Sequence, residues 1–138
     1  MDYEIDLDPT HSVIRLTVTA RIVTLELAEE LHVYLTRLAS HGGPYAAIYD
    51  LSAATDTTLT TEEVRHFGRR SRSLPSGRPN VVVGRPPSMF GLARIFQMCA
   101  EFVGNQFEVV HTLEEAYAIV GARPEDFTER LFPEKVGA

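Results

Sequence analysis

The chain has 138 residues, of which 44% are hydrophobic and 23% are charged, and its formal net charge is −6. This composition excludes a disordered chain and suits one domain over residues 1–138, and the negative charge argues against general nucleic-acid binding. The single cysteine, Cys99, excludes an internal disulfide bond, and no apolar run reaches the roughly 18 residues of a membrane span. We therefore expect a reduced, cytoplasmic compartment and no membrane span.

The first third of the sequence predicts two strands, a helix and a third strand. Apolar residues alternate with acids over 3–7, and a β-branched run follows over 13–18, which indicates a hairpin. Thr24 is the expected N-cap of a helix whose apolar face carries Ala28, Leu31, Leu35 and Leu38 and which the glycines of 41–44 end. Residues 45–51 then predict a short buried strand.

The rest of the chain alternates helices with strands. Thr60 with Glu63, and Thr112 with Glu115, form capping boxes that begin the second and fourth helices. Buried strands are predicted over 80–84 and 107–112, a third helix over 88–103, and a C-terminal helical segment over about 124–132. This order predicts a layered α/β fold, with helices packed on a mixed, mostly parallel sheet of about five strands and a core spanning about residues 3–120.

The sequence contains none of the short patterns that carry catalytic chemistry. It has no Walker loop, dinucleotide-binding glycine pattern, Cys-x-x-Cys, His-Glu-x-x-His or Gly-x-Ser-x-Gly, and its five histidines lack metal-ligand spacing. Cys99 lies inside an apolar helix, where a buried small hydrophobe is the expected role. We expect a protein that is not an enzyme and holds no cofactor and no metal.

A polar loop follows the strand over 45–51, at the end of a parallel strand where α/β sheets place their binding sites. The candidate site residues of this loop are Asp50, Ser52, Asp56, Thr57 and Thr58. The alternative is turn chemistry, because Asp, Ser and Thr side chains also satisfy backbone groups in loops.

Positive charge is concentrated in the middle of the chain. Residues 61–94 contain seven arginines and two glutamates, a net charge of +5. Arg65, Arg69 and Arg72 have the spacing of one helical face, which predicts a surface for an acidic partner or a phosphate group. A solvated helix face is the alternative.

The helix over 88–103 is apolar almost all round. Arg94, Gln97 and Glu101 form one narrow polar stripe, whereas a helix packed on one side of a sheet has a wider polar face. A second apolar contact is therefore expected, from the C-terminal segment over 127–132, a second subunit in a homodimer, or a nonpolar ligand. The candidate ligand or dimer surface consists of Met89, Phe90, Leu92, Ala93 and Phe96.

The run from Phe90 to Phe96, with Leu113 to Ala116, resembles the bacterial SpoIIAA-like family, which has the STAS-domain fold and is grouped with the CRAL-TRIO lipid-transfer fold. The resemblance covers about residues 3–120. In SpoIIAA-type proteins a serine of an Asp-Ser-Ser motif is phosphorylated, and Asp56-Thr57-Thr58 is the nearest counterpart in this sequence. The resemblance implies a regulatory protein-interaction module with a protein partner, and the alternative is a carrier or sensor of a nonpolar, lipid-like small molecule.

Overall fold

The structure, a computed structural model, describes residues 2–41, 44–70 and 77–132. The strands are β1 (Tyr3–Asp8), β2 (Val13–Val18), β3 (Ile22–Val23), β4 (Ala46–Asp50), β5 (Asp56–Thr57), β6 (Asn80–Val83), β7 (Glu108–Val110) and β8 (Glu129–Leu131). The helices are α1 (Leu25–His41), α2 (Thr61–Arg70), α3 (Pro87–Phe102) and α4 (Leu113–Val120), and Pro124–Asp126 form a 3-10 turn.

Six of these strands form one mixed sheet in the order β7-β6-β4-β2-β1-β8. The neighbours β2–β4, β4–β6 and β6–β7 are parallel, whereas β1 pairs antiparallel with both β2 and β8. The short strands β3 and β5 form a separate parallel pair. The predicted layered α/β fold with a mixed, mostly parallel sheet is confirmed.

Side chains that alternate along the strands pack into two apolar layers, one on each face of the sheet. In β2, Ile14 and Leu16 face the layer that α1 covers, while Val13 faces the layer that α4 covers. The strand β6 has no exposed residue, as expected for a strand with both faces covered. Helices α1, α2 and α3 therefore share one face of the sheet, and α4 packs on the other.

Local hydrogen bonds begin the helices where the sequence places them. The Thr60 hydroxyl accepts from the Glu63 backbone N–H at 3.1 Å, and the Glu63 carboxylate accepts from the Thr60 N–H at 2.9 Å. The same reciprocal pair joins Thr112 and Glu115. Thr24 accepts from the Leu27 N–H at 3.2 Å, so it caps α1 as predicted. The glycines predicted to end α1, at 42 and 43, lie outside the described residues.

The C-terminal segment differs from the sequence prediction. The helical segment expected over about 124–132 is wrong, since a single 3-10 turn is followed by strand β8. This strand pairs Ile5 with Leu131, and the Arg130 Nε donates to the buried Asp6 carboxylate at 2.6 Å. Residues 129–131 are extended rather than helical because they pair with the edge of β1, which is distant in sequence.

Candidate functional site

An apolar cavity of about 210 Å³ lies between the sheet and helices α1, α2 and α3. The α1 wall consists of Ala28, Leu31, His32 and Leu35, which share one stripe of that helix. In the sequence this stripe indicates a core-facing helix, and part of it faces the cavity instead. We refer to this space as the apolar cavity throughout.

Helix α3 supplies the opposite wall with a stripe of the same spacing. Four of the five residues singled out on this helix from the sequence line the cavity: Met89, Leu92, Ala93 and Phe96. The fifth, Phe90, points elsewhere in the fold, because its ring stacks on the His111 ring with the centroids 3.8 Å apart. Part of the apolar surface of this helix therefore faces the apolar cavity.

The remaining walls come from α2, the sheet and the loops. Aromatic side chains are prominent, since Phe67, Phe96 and Phe107 all border the cavity, together with Tyr49. The Phe96 and Phe107 rings are edge to face at 5.1 Å. The other lining residues are Val23, Leu51, Thr57, Leu59, Val64 and Val82.

Helix α2, which borders the cavity, packs much closer to α3 than to α1. A Cβ atom added to Gly68 of α2 would lie 2.7 Å from the Cys99 Cβ of α3, so these two helices approach closely at the glycine. Towards α1, by contrast, α2 extends the long Arg70 side chain to Glu29. The space beneath this long contact is left unfilled.

Two polar groups of the cavity wall, the hydroxyls of Tyr49 and Thr57, are hydrogen-bonded within the protein. The Tyr49 hydroxyl donates to Asn80 Oδ1 at 3.1 Å, and its burial raises the pKa of Tyr49, so the phenol stays protonated at neutral pH. The Thr57 hydroxyl donates to the Val23 carbonyl at 2.7 Å. A molecule in the cavity would therefore meet mainly carbon surface at these two residues.

Charged and titratable groups gather beside Phe67 and His32, two residues of the cavity wall. Arg70 donates from both terminal nitrogens to the Glu29 carboxylate, at 3.2 and 3.1 Å, and its guanidinium lies 5.1 Å from the centre of the Phe67 ring. His66 Nε2 is 3.1 Å from Arg70 Nη1. Desolvation, followed by the charge of Arg70, lowers the pKa of His32, so His32 is neutral at neutral pH.

The polar loop after β4 is held by hydrogen bonds within the loop and by others to the backbone carbonyls of Arg21 and Val23. Asp50 is buried and accepts from the Ser52 N–H at 2.9 Å and from the Ser52 hydroxyl. Asp56 accepts from the Thr57 N–H at 2.7 Å, while Thr58 is exposed. These are the bonds that the turn-chemistry alternative predicts, and Thr57 is the one member of this loop set that reaches the apolar cavity.

The predicted arginine face is divided. Arg65 is exposed and forms an ion pair with Glu62 at 3.8 Å, and Arg69 is exposed as well. Arg72 lies outside the described residues. Arg70, which the helical spacing sets apart from this face, packs its guanidinium against Phe67, a residue of the cavity wall.

A second cluster of titratable groups lies at the opposite face of the sheet. His11 Nδ1 is 2.7 Å from Asp8 Oδ2 and 3.7 Å from Asp126 Oδ2. Asp8 Oδ1 also accepts from the Thr10 and His11 N–H groups, and Asp126 accepts from the Arg123 N–H. The carboxylates of this cluster are thus already engaged in fixing the β1–β2 turn and the 3-10 turn.

The sequence offers no local signal for several residues of the site. Glu29, His32 and Tyr49 come from two separate elements, and their meeting depends on how α1 sits over the sheet. Comparison of the chain with protein-family models, curated proteins and solved structures finds no match. Across residues 2–41, 44–70 and 77–132, no helix is both long and apolar enough to span a membrane.

Proposed function

We propose that this protein is a non-enzymatic binding protein that carries or senses a compact, nonpolar small molecule in the apolar cavity. The observation that carries the proposal is the cavity itself, about 210 Å³ of space walled mainly by apolar side chains. Protein interiors are normally packed to the density of organic crystals and contain few voids larger than a water molecule. A space of this size lined by carbon is therefore a reasonable place for a ligand.

The cavity is partly open to solvent, and its volume indicates the size of the apolar group that it can surround. It is larger than an engineered apolar cavity of about 150 Å³ that binds benzene, and smaller than the roughly 300–1,000 Å³ of drug-sized pockets. The Phe67, Phe96 and Phe107 rings at the wall suit edge-to-face contact with a ring. The expected ligand is a small aromatic ring system or a short alkyl chain, rather than a long-chain lipid.

Calorimetric titration with n-octanol and with indole tests this function. The variant Ala28→Leu projects a larger side chain into the cavity from α1 and should lower the affinity for either probe by about tenfold or more. Ala118→Leu makes the same substitution at an exposed position of α4, on the other face of the sheet. It should leave the affinity unchanged.

The two variants also separate loss of binding from loss of folding. Filling an existing cavity adds apolar contacts, so Ala28→Leu should unfold at the same or a higher urea concentration than the natural chain. Absence of saturable binding of both probes to the natural chain would overturn the proposed function. So would equal affinities of the Ala28→Leu variant and the natural chain.

Self-association is a second candidate, because two large apolar side chains of α3 face outward. Met98 is 64% exposed and Phe102 is 89% exposed. We propose that a second copy of the chain covers them in a homodimer. Light scattering should give a dimer mass that Phe102→Ser reduces to the monomer mass, while Val33→Ser, at an exposed site of α1, leaves it unchanged. A monomer mass for the natural chain would remove this candidate.

Regulatory protein binding through the 50–60 loop and membership of the SpoIIAA-like family stay predictions from the sequence. The hydrogen bonds of Asp50, Ser52 and Asp56 within the loop do not add to the case for a phosphorylated site.

A further inference from the structure

The Arg70–Glu29 ion pair joins α2 to α1 beside the apolar cavity. The Arg70 and Glu29 side chains are 34% and 46% exposed, and the Arg70 guanidinium packs against Phe67, a residue of the cavity wall. Ion pairs this exposed contribute little to stability. The pair can therefore be exchanged for another partner at small cost.

The groups around Arg70 are arranged for an anion. Its guanidinium lies over the Phe67 ring, which is part of the cavity wall, and His66 Nε2 lies 3.1 Å from its Nη1. His32 is also in the wall, and Glu29 is the carboxylate held in this group. Arginine binds carboxylates through two parallel hydrogen bonds, and Glu29 shows that this geometry is attainable here.

We propose that the ligand of the apolar cavity is a compact hydrophobic monocarboxylate, whose apolar body fills the cavity and whose carboxylate replaces that of Glu29 at Arg70. This inference rests on the proposed function, since it needs the cavity to hold the body of the ligand. Glu29 then acts as an internal competitor that occupies Arg70 while the cavity is empty. On binding, it is released to solvent, which its exposure permits.

Octanoate and octanamide form a matched pair of probes, because they share one alkyl chain and differ mainly in charge. In calorimetric titrations the natural chain should bind octanoate more tightly than octanamide. Arg70→Gln should weaken octanoate binding by about tenfold and leave octanamide binding within about twofold. Arg65→Gln makes the same substitution at an exposed position of the same helix and should change neither affinity appreciably.

The Glu29→Gln variant distinguishes a ligand site from a purely structural ion pair. If Glu29 competes with the ligand, its neutralisation should tighten octanoate binding by about two- to fivefold, which is what an exposed ion pair is worth. Glu26→Gln removes the same charge from an exposed position of α1 and should produce a smaller change. Octanamide should bind the Glu29→Gln variant and the natural chain equally.

Each contrary result has a distinct meaning. The carboxylate proposal would be overturned if the natural chain bound octanoate and octanamide equally and Arg70→Gln changed neither affinity. The proposed cavity function would then still stand. Weaker octanoate binding by Glu29→Gln would also overturn the carboxylate proposal, because the ion pair would then be a structural support of the cavity. Failure of both probes to bind the natural chain would overturn the cavity function and this inference with it.

Discussion

Gly68 of α2 lies directly against Cys99 of α3, so closely that a Cβ atom on the glycine would be 2.7 Å from the cysteine Cβ and 2.8 Å from the Phe96 carbonyl oxygen. Backbone atoms of a packed helix cannot yield as the end of a long side chain can. The absence of a side chain at position 68 is therefore what allows α2 and α3 to pack closely and sets one border of the apolar cavity.

Gly68→Ala should force the two helices apart and lower the free energy of unfolding by about 1–3 kcal/mol, the usual cost of overpacking. Because Phe96 borders the cavity, the affinity for n-octanol should change as well. Urea denaturation and calorimetry measure the two effects. Gly91→Ala is the control, since a Cβ atom there has nothing within 4 Å, and better helix propensity should stabilise α3 by up to about 1 kcal/mol. Equal stability of Gly68→Ala and the natural chain would contradict this packing.

Phe96→Ala tests whether the α3 wall faces open space. Truncating a phenylalanine in a filled core to alanine lowers the free energy of unfolding by roughly 3–5 kcal/mol. Phe96 is half-buried and already borders the cavity, so its truncation should cost less than about 3 kcal/mol by urea denaturation. The enlarged cavity should also accept a bulkier ring such as naphthalene. A cost within the full-core range, without naphthalene binding, would show that the space is filled.

The buried carboxylate of Asp8 should make the free energy of unfolding depend on pH in the acidic range. Desolvation by burial acts to raise the pKa of Asp8, but hydrogen bonds from His11 and Thr10 and the charge of His11 together outweigh it, and the pKa is lowered. The unfolded chain then binds the proton more readily, so this contribution to stability is present above about pH 4. It is lost as the pH falls through the lowered native pKa.

Asp8→Asn checks this pH dependence. At neutral pH the variant should lose about 1–3 kcal/mol of unfolding free energy, because three hydrogen bonds to a buried carboxylate are disturbed. Urea midpoints measured between neutral and acidic pH should fall less steeply for the variant than for the natural chain. Asp2→Asn, at an exposed position, should keep the natural slope. Parallel slopes for Asp8→Asn and the natural chain would contradict this role of Asp8.

The parts of the fold that the sequence predicts correctly are those determined by local interactions. The capping boxes at Thr60 and Thr112 form within four residues, and the β1–β2 hairpin joins neighbouring segments. The C-terminal strand was not predicted because it depends on the free edge of β1, and Arg130 meets Asp6 across 124 residues of sequence.

The cavity could be anticipated only in part. The apolar excess of α3 predicts an additional apolar contact, and Met89, Leu92, Ala93 and Phe96 border the cavity. Periodicity shows which side of a helix is apolar, but it cannot show whether two apolar stripes meet or leave a gap. That difference depends on the spacing of α1, α2 and α3, which Gly68 and the Arg70–Glu29 pair influence from opposite sides of α2.

The methyl groups of the methionines offer the most direct test of ligand binding in the cavity. The chain has three methionines, of which Met89 lines the cavity and Met98 is 64% exposed on the same helix. With isotope-labelled methionine methyl groups, assigned using Met98→Leu, n-octanol should shift the Met89 resonance saturably and leave that of Met98 in place. A Met89 resonance that does not respond, or a saturable shift confined to Met98, would contradict a ligand site in the cavity.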